Sequence, residues 1–111
     1  MHYGKIVLLQ NNVTVPSNGI ETIVNSNDKA TIFISGTSNS RTIIFEGKDN
    51  DGNWYSASAI KLSDATRANQ TTGNNEAWSL DLSNWVSFRI RVSAVAGGYV
   101  RVTAKIIRTN G

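Results

Sequence analysis

Apolar and polar residues alternate with a period of two through most of this chain, and no stretch repeats its apolar residues at helical spacing. The alternation is clearest near the C-terminus. Phe88, Ile90, Val92 and Ala94 share one face of a predicted strand over residues 86–95. Val100, Val102, Ala104 and Ile106 share one face of another over residues 99–108. Both apolar sets must point at one core, because a slip of one residue would turn either set to water. The sequence predicts a hairpin with Ala94 opposite Val100 and with Ala96-Gly97-Gly98 as its loop, Gly98 supplying a positive φ. In that register Arg89 faces Lys105, Arg91 faces Thr103 and Ser93 faces Arg101. The outer face is then basic. Like charges opposite one another cost stability, so an acid such as Glu46 or Asp81, or a partner molecule, is expected beside them.

Earlier segments follow the same rule. Lys5–Gln10 reads as a strand, with Val13–Val15 either continuing it or forming a short second piece before the turn Pro16-Ser17-Asn18-Gly19. Ile20–Val24 is a further short strand. Lys29–Ser35 alternates with Ala30, Ile32 and Ile34 on one face, and Thr42–Gly47 with Ile43 and Phe45 on one face. Asp49-Asn50-Asp51-Gly52 turns the chain into a strand over Trp54–Leu62. Ser63–Glu76, rich in Thr, Asn and Gln, reads as a long exposed loop or irregular edge with room for one helical turn near Asp64–Ala68. Ala77–Leu82 is the strand before the final pair. About eight short strands with turns every eight to twelve residues predict an all-β fold, an antiparallel, jelly-roll-like β-sandwich. At 111 residues the chain is expected to form a single domain over 1–111.

Composition removes several kinds of chemistry. There is no cysteine, hence no disulfide framework, thiolate metal site or cysteine nucleophile. The lone histidine, His2, sits at the N-terminus, so a histidine general base is disfavoured and a multi-histidine metal site cannot form within one chain. The sequence predicts no bound cofactor and no metal. Charged residues make up only 17%, and the net charge of +3 is too small to indicate nucleic-acid binding. No apolar window is long enough to span a membrane, and Ile6-Val7-Leu8-Leu9 is too short for the core of a signal peptide, so no Sec signal of its own is predicted.

Eight carboxylates remain as candidates for acid–base work. Glu46 and Asp81 lie on predicted strands and would have to face one another to form a glycosidase-like pair; a surface pairing with Arg89 or Arg91 is the simpler reading. Asp49-Asn50-Asp51-Gly52 resembles part of a calcium loop, but the twelfth position from Asp49 is Ile60 rather than Glu, and a hairpin turn fits better. Arg89, Arg91, Arg101, Lys105 and Arg108 form a basic stripe, read as a solvated face or a subunit interface. Trp54 and Trp78 read as structural. Trp85 and Tyr99, with Tyr55, read as exposed and are the candidates for a sugar-stacking platform.

The order of Phe45-Glu46-Gly47, Asp51-Gly52-Asn53-Trp54, Trp78-Ser79-Leu80-Asp81, Arg89-Ile90-Arg91-Val92-Ser93-Ala94 and Val100-Arg101-Val102-Thr103 resembles small β-sandwich structural proteins of tailed phages and prophages. The resemblance covers about Lys29 to Ile107. It implies a non-enzymatic, virion- or tail-associated module, assembled in the host bacterial cytoplasm. Its expected partners are further copies of itself or other virion proteins, met through surfaces that include Arg89, Arg91, Arg101, Lys105, Trp85 and Tyr99. No active site carries over from the resemblance. A carbohydrate-binding module that recognises host surface glycans is the alternative, and it requires coplanar exposed aromatics.

Overall fold

The longer strands carry most of their apolar residues on one side, so two sheets are needed to hide them from water. The computed structural model describes residues 2–109, and the side chains of 4–108; the side chain of His2, considered above as a base or ligand, lies outside those described. Eleven strands follow in order: β1 (His2–Val13), β2 (Thr22–Ile23), β3 (Asp28–Gly36), β4 (Ser40–Lys48), β5 (Trp54–Ser56), β6 (Ala59–Lys61), β7 (Arg67–Ala68), β8 (Gln70–Thr71), β9 (Glu76–Asp81), β10 (Ser87–Ala96) and β11 (Val100–Thr109). One sheet has six strands in the order β1-β11-β3-β9-β6-β7. The other has five, in the order β2-β10-β4-β5 with β8 also paired to β4. All pairings are antiparallel. The all-β sandwich read from the sequence is the fold of the protein, with more and shorter strands than the alternation suggested.

The core lies between the sheets. Ala30, Ile32, Ile34, Trp78, Leu80, Val100, Val102 and Ala104 come from the six-stranded sheet, and Ile43, Phe45, Phe88, Ile90 and Val92 from the five-stranded one. Phe45 and Trp78 meet across the gap with ring centroids 5.1 Å apart. The faces assigned to β3 and β4 by alternation are the faces observed.

The predicted last hairpin does not form. β10 and β11 lie in different sheets, β10 paired with β4 and β2, β11 with β1 and β3. Gly97 and Gly98, at φ 74° and 144°, carry the chain over the end of the sandwich instead of folding it back beside itself. The inward faces were read correctly as far as Val92, because strands facing each other across a core obey the same parity as strands lying side by side. Ala94 is the exception. A bulge between Val92 and Ala94 sets two residues of β10 against one of β4. Ala94 is therefore exposed, and Val95 packs against the core in its place.

Residues 54–76 also depart from the reading. The predicted strand Trp54–Leu62 is two strands, β5 and β6, one in each sheet, with buried Ala57 at the crossing. The polar stretch after it opens with a single turn closed by Ala65 N donating to the Lys61 carbonyl at 2.8 Å, and becomes strand from Arg67 instead of continuing as helix. It contributes β7 to one sheet and β8 to the other, pairing Ile60 with Arg67 and Ile44 with Gln70.

Candidate functional site

Strands β4 and β10 set Glu46, Arg89 and Arg91 on the outer face of the five-stranded sheet. Glu46 lies opposite Arg89 in the ladder, and Arg91 follows two residues on, on the same face. Glu46 Oε1 accepts hydrogen bonds from Arg89 Nε at 2.8 Å and Arg91 Nε at 3.0 Å. Burial pushes the Glu46 carboxyl up, but the hydrogen bonds and charges of Arg91 and Arg89 outweigh it and hold the group below its ordinary range. The Arg89 guanidinium carbon stands 4.0 Å from the centroid of the Trp54 ring, and Lys48 Nζ lies 5.5 Å from it. Lys48 pairs with Glu21 at 3.1 Å, and Glu21 also accepts from Ser87 Oγ at 2.8 Å. The acid expected beside the arginines is thus Glu46, while Asp81 stands opposite Lys29 in the other sheet.

The basic stripe is divided. Arg101 and Lys105 stand on the outer face of the six-stranded sheet, Arg101 opposite Ser35 and Lys105 between Ile6 and Thr31. The facing pairs Arg89–Lys105, Arg91–Thr103 and Ser93–Arg101 fail with the hairpin that required them. Among the described residues Arg101 and Lys105 enter no ion pair. Arg108 bonds the buried Asp28, with Nε to Oδ1 at 2.7 Å and Nη2 to Oδ2 at 3.0 Å. Those hydrogen bonds, against the opposing effect of burial, lower the Asp28 carboxyl.

The aromatic candidates do not form a platform. Trp85 is half-buried rather than exposed, and its ring lies on Gly47, where any side chain would collide with it. Tyr55 stacks on Trp85 with centroids 6.3 Å apart and planes at 25°. The Tyr55 hydroxyl donates to Asp49 Oδ2 at 3.1 Å, while Asp49 Oδ1 accepts the N–H groups of Asp51 at 2.9 Å and Asn53 at 2.8 Å. The Asp49–Gly52 segment is therefore the predicted hairpin turn, with Gly52 at φ 87°. Tyr99 is half-buried at the far end of β4, where its carbonyl accepts from Thr37 N at 3.0 Å and Ser38 N at 3.1 Å. Trp85 and Tyr99 thus sit at opposite ends of the sandwich. Trp78 is core, as read, and Trp54 is an outer-face residue beneath Arg89.

Glu46 and Asp81 stand on the outer faces of different sheets, so the facing carboxylate pair is not formed. Glu76 is another partly buried acid. Burial raises its carboxyl, and Thr71, Lys61 and Trp78 together lower it further than burial raises it. Among the described residues no three His, Cys, Asp or Glu side chains gather into a metal site.

One functional-looking residue was missed. Arg41 is buried, with Nε donating to Ser38 Oγ at 2.7 Å, Nη2 to the Ser38 carbonyl at 2.6 Å and Nη1 to the Thr72 carbonyl at 2.9 Å. It ties the turn after β3 to the loop after β8, and among the described residues it has no carboxylate partner. The signal was present: Arg41 shares the inward parity of Ile43 and Phe45.

The architecture is that of small antiparallel β-sandwich proteins of bacterial prophages. The crystal structure of the SPBc2 prophage-derived protein YomS matches with a TM-score of 0.91 and 27% identity, covering 96% of this chain and 95% of that one. The crystal structure of the PBSX exported protein XepA matches in fold with a TM-score of 0.92 and 23% identity, covering 96% of this chain and 38% of that one. In sequence, the chain is 32% identical over 84 residues to the SPbeta prophage-derived uncharacterized protein YomS of Bacillus subtilis (strain 168), covering 76% of this chain and 71% of the relative. It is 28% identical over 71 residues to the phage-like element PBSX protein XepA of the same strain, covering 64% of this chain and only 25% of that relative. The XepA family model matches residues 4–106. The chain belongs to the XepA family and is related to proteins of the SPbeta prophage and the phage-like element PBSX.

Proposed function

We propose that this protein is a non-enzymatic structural component of a phage or prophage particle, as decoration or as part of a tail or baseplate, and that it acts through protein–protein surfaces as a symmetric homo-oligomer. The observation that carries the reading is the use made of its carboxylates. Seven of the eight, Glu21, Asp28, Glu46, Asp49, Asp64, Glu76 and Asp81, are held below their ordinary range by the cations or the turn and side-chain groups they bond. A general acid at neutral pH needs the opposite shift. These groups hold strands and turns together. What the molecule offers to others is its sheet faces and edges. The prophage relatives support a place in phage biology.

The test is to induce a lysogen that carries the gene, separate particles from free protein on a density gradient, and probe the fractions for this chain. It is expected to band with particles or tails. Recovery only in the soluble fraction would overturn the virion role. Hydrolysis of a cell-wall polysaccharide that is lost in Glu46→Gln would overturn the non-enzymatic reading. The glycan-binding alternative now rests on Tyr55 alone, which is 49% exposed and held in orientation by Asp49 and Trp85.

A further inference from the structure

Glu46 answers two cations with one charge, and both arginines keep donors to spare. Arg89 gives Nε to Glu46 Oε1, and Arg91 gives Nε to Oε1 and Nη2 to Oε2 at 3.4 Å. Among the described residues, Nη1 and Nη2 of Arg89 and Nη1 of Arg91 have no acceptor. The side chains are nonetheless held. That of Arg89 is only 18% exposed and that of Arg91 32%. Trp54 covers one face of the Arg89 guanidinium at 4.0 Å. A guanidinium so far out of water ordinarily spends its fork of donors on an acceptor. Here the outer N–H groups are not sealed in the protein and still reach solvent. Arg101 and Lys105, on the other sheet, have no such frame, with neither an ion pair nor a ring contact among the described residues. A group already fixed in place loses less freedom on binding.

Charge and shape select what these donors take. Lys48, Arg89 and Arg91 stand against Glu21 and Glu46, which leaves one positive charge on this face. Arg89 and Arg91 are two residues apart on one strand, so they spring from points about 6.8 Å apart and approach from two directions. A planar carboxylate fits one fork in its own plane, whereas a tetrahedral oxyanion has oxygens for both. A phosphodiester has that shape and a single negative charge at neutral pH.

The neighbours select what the phosphodiester joins. Ser56 stands opposite Glu46, and Gln70 opposite Ile44, which in turn faces Arg91. Ser56 and Gln70 are exposed, and neither makes a side-chain hydrogen bond among the described residues. Hydroxyl and amide groups beside the cations suit hydroxylated units linked by phosphodiesters. A lipid surface takes up exposed apolar side chains instead, and a net charge of +3 is small for a nucleic-acid binder. We propose that the Arg89–Arg91 face binds the phosphodiester groups of a polyol phosphate polymer, with Glu46 and Trp54 holding the two guanidiniums in position. The site goes beyond the structural role above and does not depend on the oligomeric state.

The probe is a glycerol phosphate oligomer, titrated into the full-length chain, with arginine Nε–H signals followed by NMR and affinity by calorimetry. The signals of Arg89 and Arg91 are expected to shift and that of Arg101 to stay. Arg89→Gln and Arg91→Gln are each expected to weaken binding about tenfold or more, as for loss of a hydrogen bond to a charged group. Arg101→Gln removes the same charge from the other sheet and is expected to leave affinity unchanged. Arg89→Lys keeps a cation but loses the fork. It is expected to weaken binding as well, and it carries the test if Arg89→Gln does not fold. Absence of the shifts overturns the site. Equal loss in Arg101→Gln also overturns it, by showing attraction to overall charge alone. Tighter binding of phosphatidylglycerol vesicles or of a DNA oligonucleotide than of the glycerol phosphate oligomer overturns the polymer assigned.

Discussion

The residue that best shows how this surface is built is Glu46, which serves two arginines from a half-wrapped position. Replacing it by Gln keeps the shape and removes the charge, leaving Arg89 and Arg91 close together without a counter-ion. Glu46→Gln is expected to lower unfolding free energy by about 1–3 kcal/mol in a denaturant titration, the usual cost of removing one partner of a partly buried charged hydrogen-bond pair. Gly47, the next residue, is constrained by space. Its missing side chain is what lets the Trp85 ring lie flat on β4. Gly47→Ala is expected to displace Trp85 from its stack on Tyr55, shift its fluorescence toward that of solvated tryptophan, and cost about 1–3 kcal/mol as an overpacking change. Glu46 was named beside the arginines from a hairpin register that does not form; what sets it there is the ladder between β4 and β10. The role of Gly47 was not legible, because Trp85 reaches it from the loop between β9 and β10, 38 positions along the chain.

At the level of elements, alternation told which side of each strand faces the core and could not tell which strands are neighbours. Ala30, Ile32 and Ile34 of β3 and Ile43 and Phe45 of β4 were placed correctly, since parity is a local property. The pairing of β10 with β11 was misread for the same reason. Two strands joined by a short glycine turn satisfy parity either beside each other or across the core from each other. Here β10 lies between β4 and β2 and β11 between β3 and β1, so both sides of each strand are already paired and a hairpin would displace β1 and β2. The bulge after Val92, which turns Ala94 outward, had no signal in the pattern, because Ala94 continues the apolar parity and is small enough for either side. The residues from 54 to 76 were hard to read because β5 to β8 are two or three residues long, too short for a period to show. Backbone NOEs across the ladders check the topology. Cross-strand contacts are expected between Ile90 and Phe45 and between Val102 and Ile34. Contacts between Ala94 and Val100 are expected to be absent, and finding them would restore the hairpin.

For the molecule as a whole, the depressed carboxylates set the response to acid. Asp28 is lowered by its hydrogen bonds to Arg108, and Glu46 and Glu76 are lowered by their partners against burial. A group whose folded value lies below its unfolded one adds stability above the unfolded value and loses it as pH falls through the folded one. Unfolding free energy is therefore expected to hold from neutral pH down to the ordinary carboxylate range, about pH 4, and to fall below it. Glu46→Gln should flatten part of that fall, since Gln does not titrate. Assembly acts at the same scale. On the proposed reading the sheet faces and edges meet further copies, because most of the acids are engaged within the chain. Light scattering of the full chain over a wide range of concentration tests that claim most directly. The account predicts one discrete mass that is an integer multiple of 12.1 kDa. A mass of 12.1 kDa that persists at every concentration would contradict it.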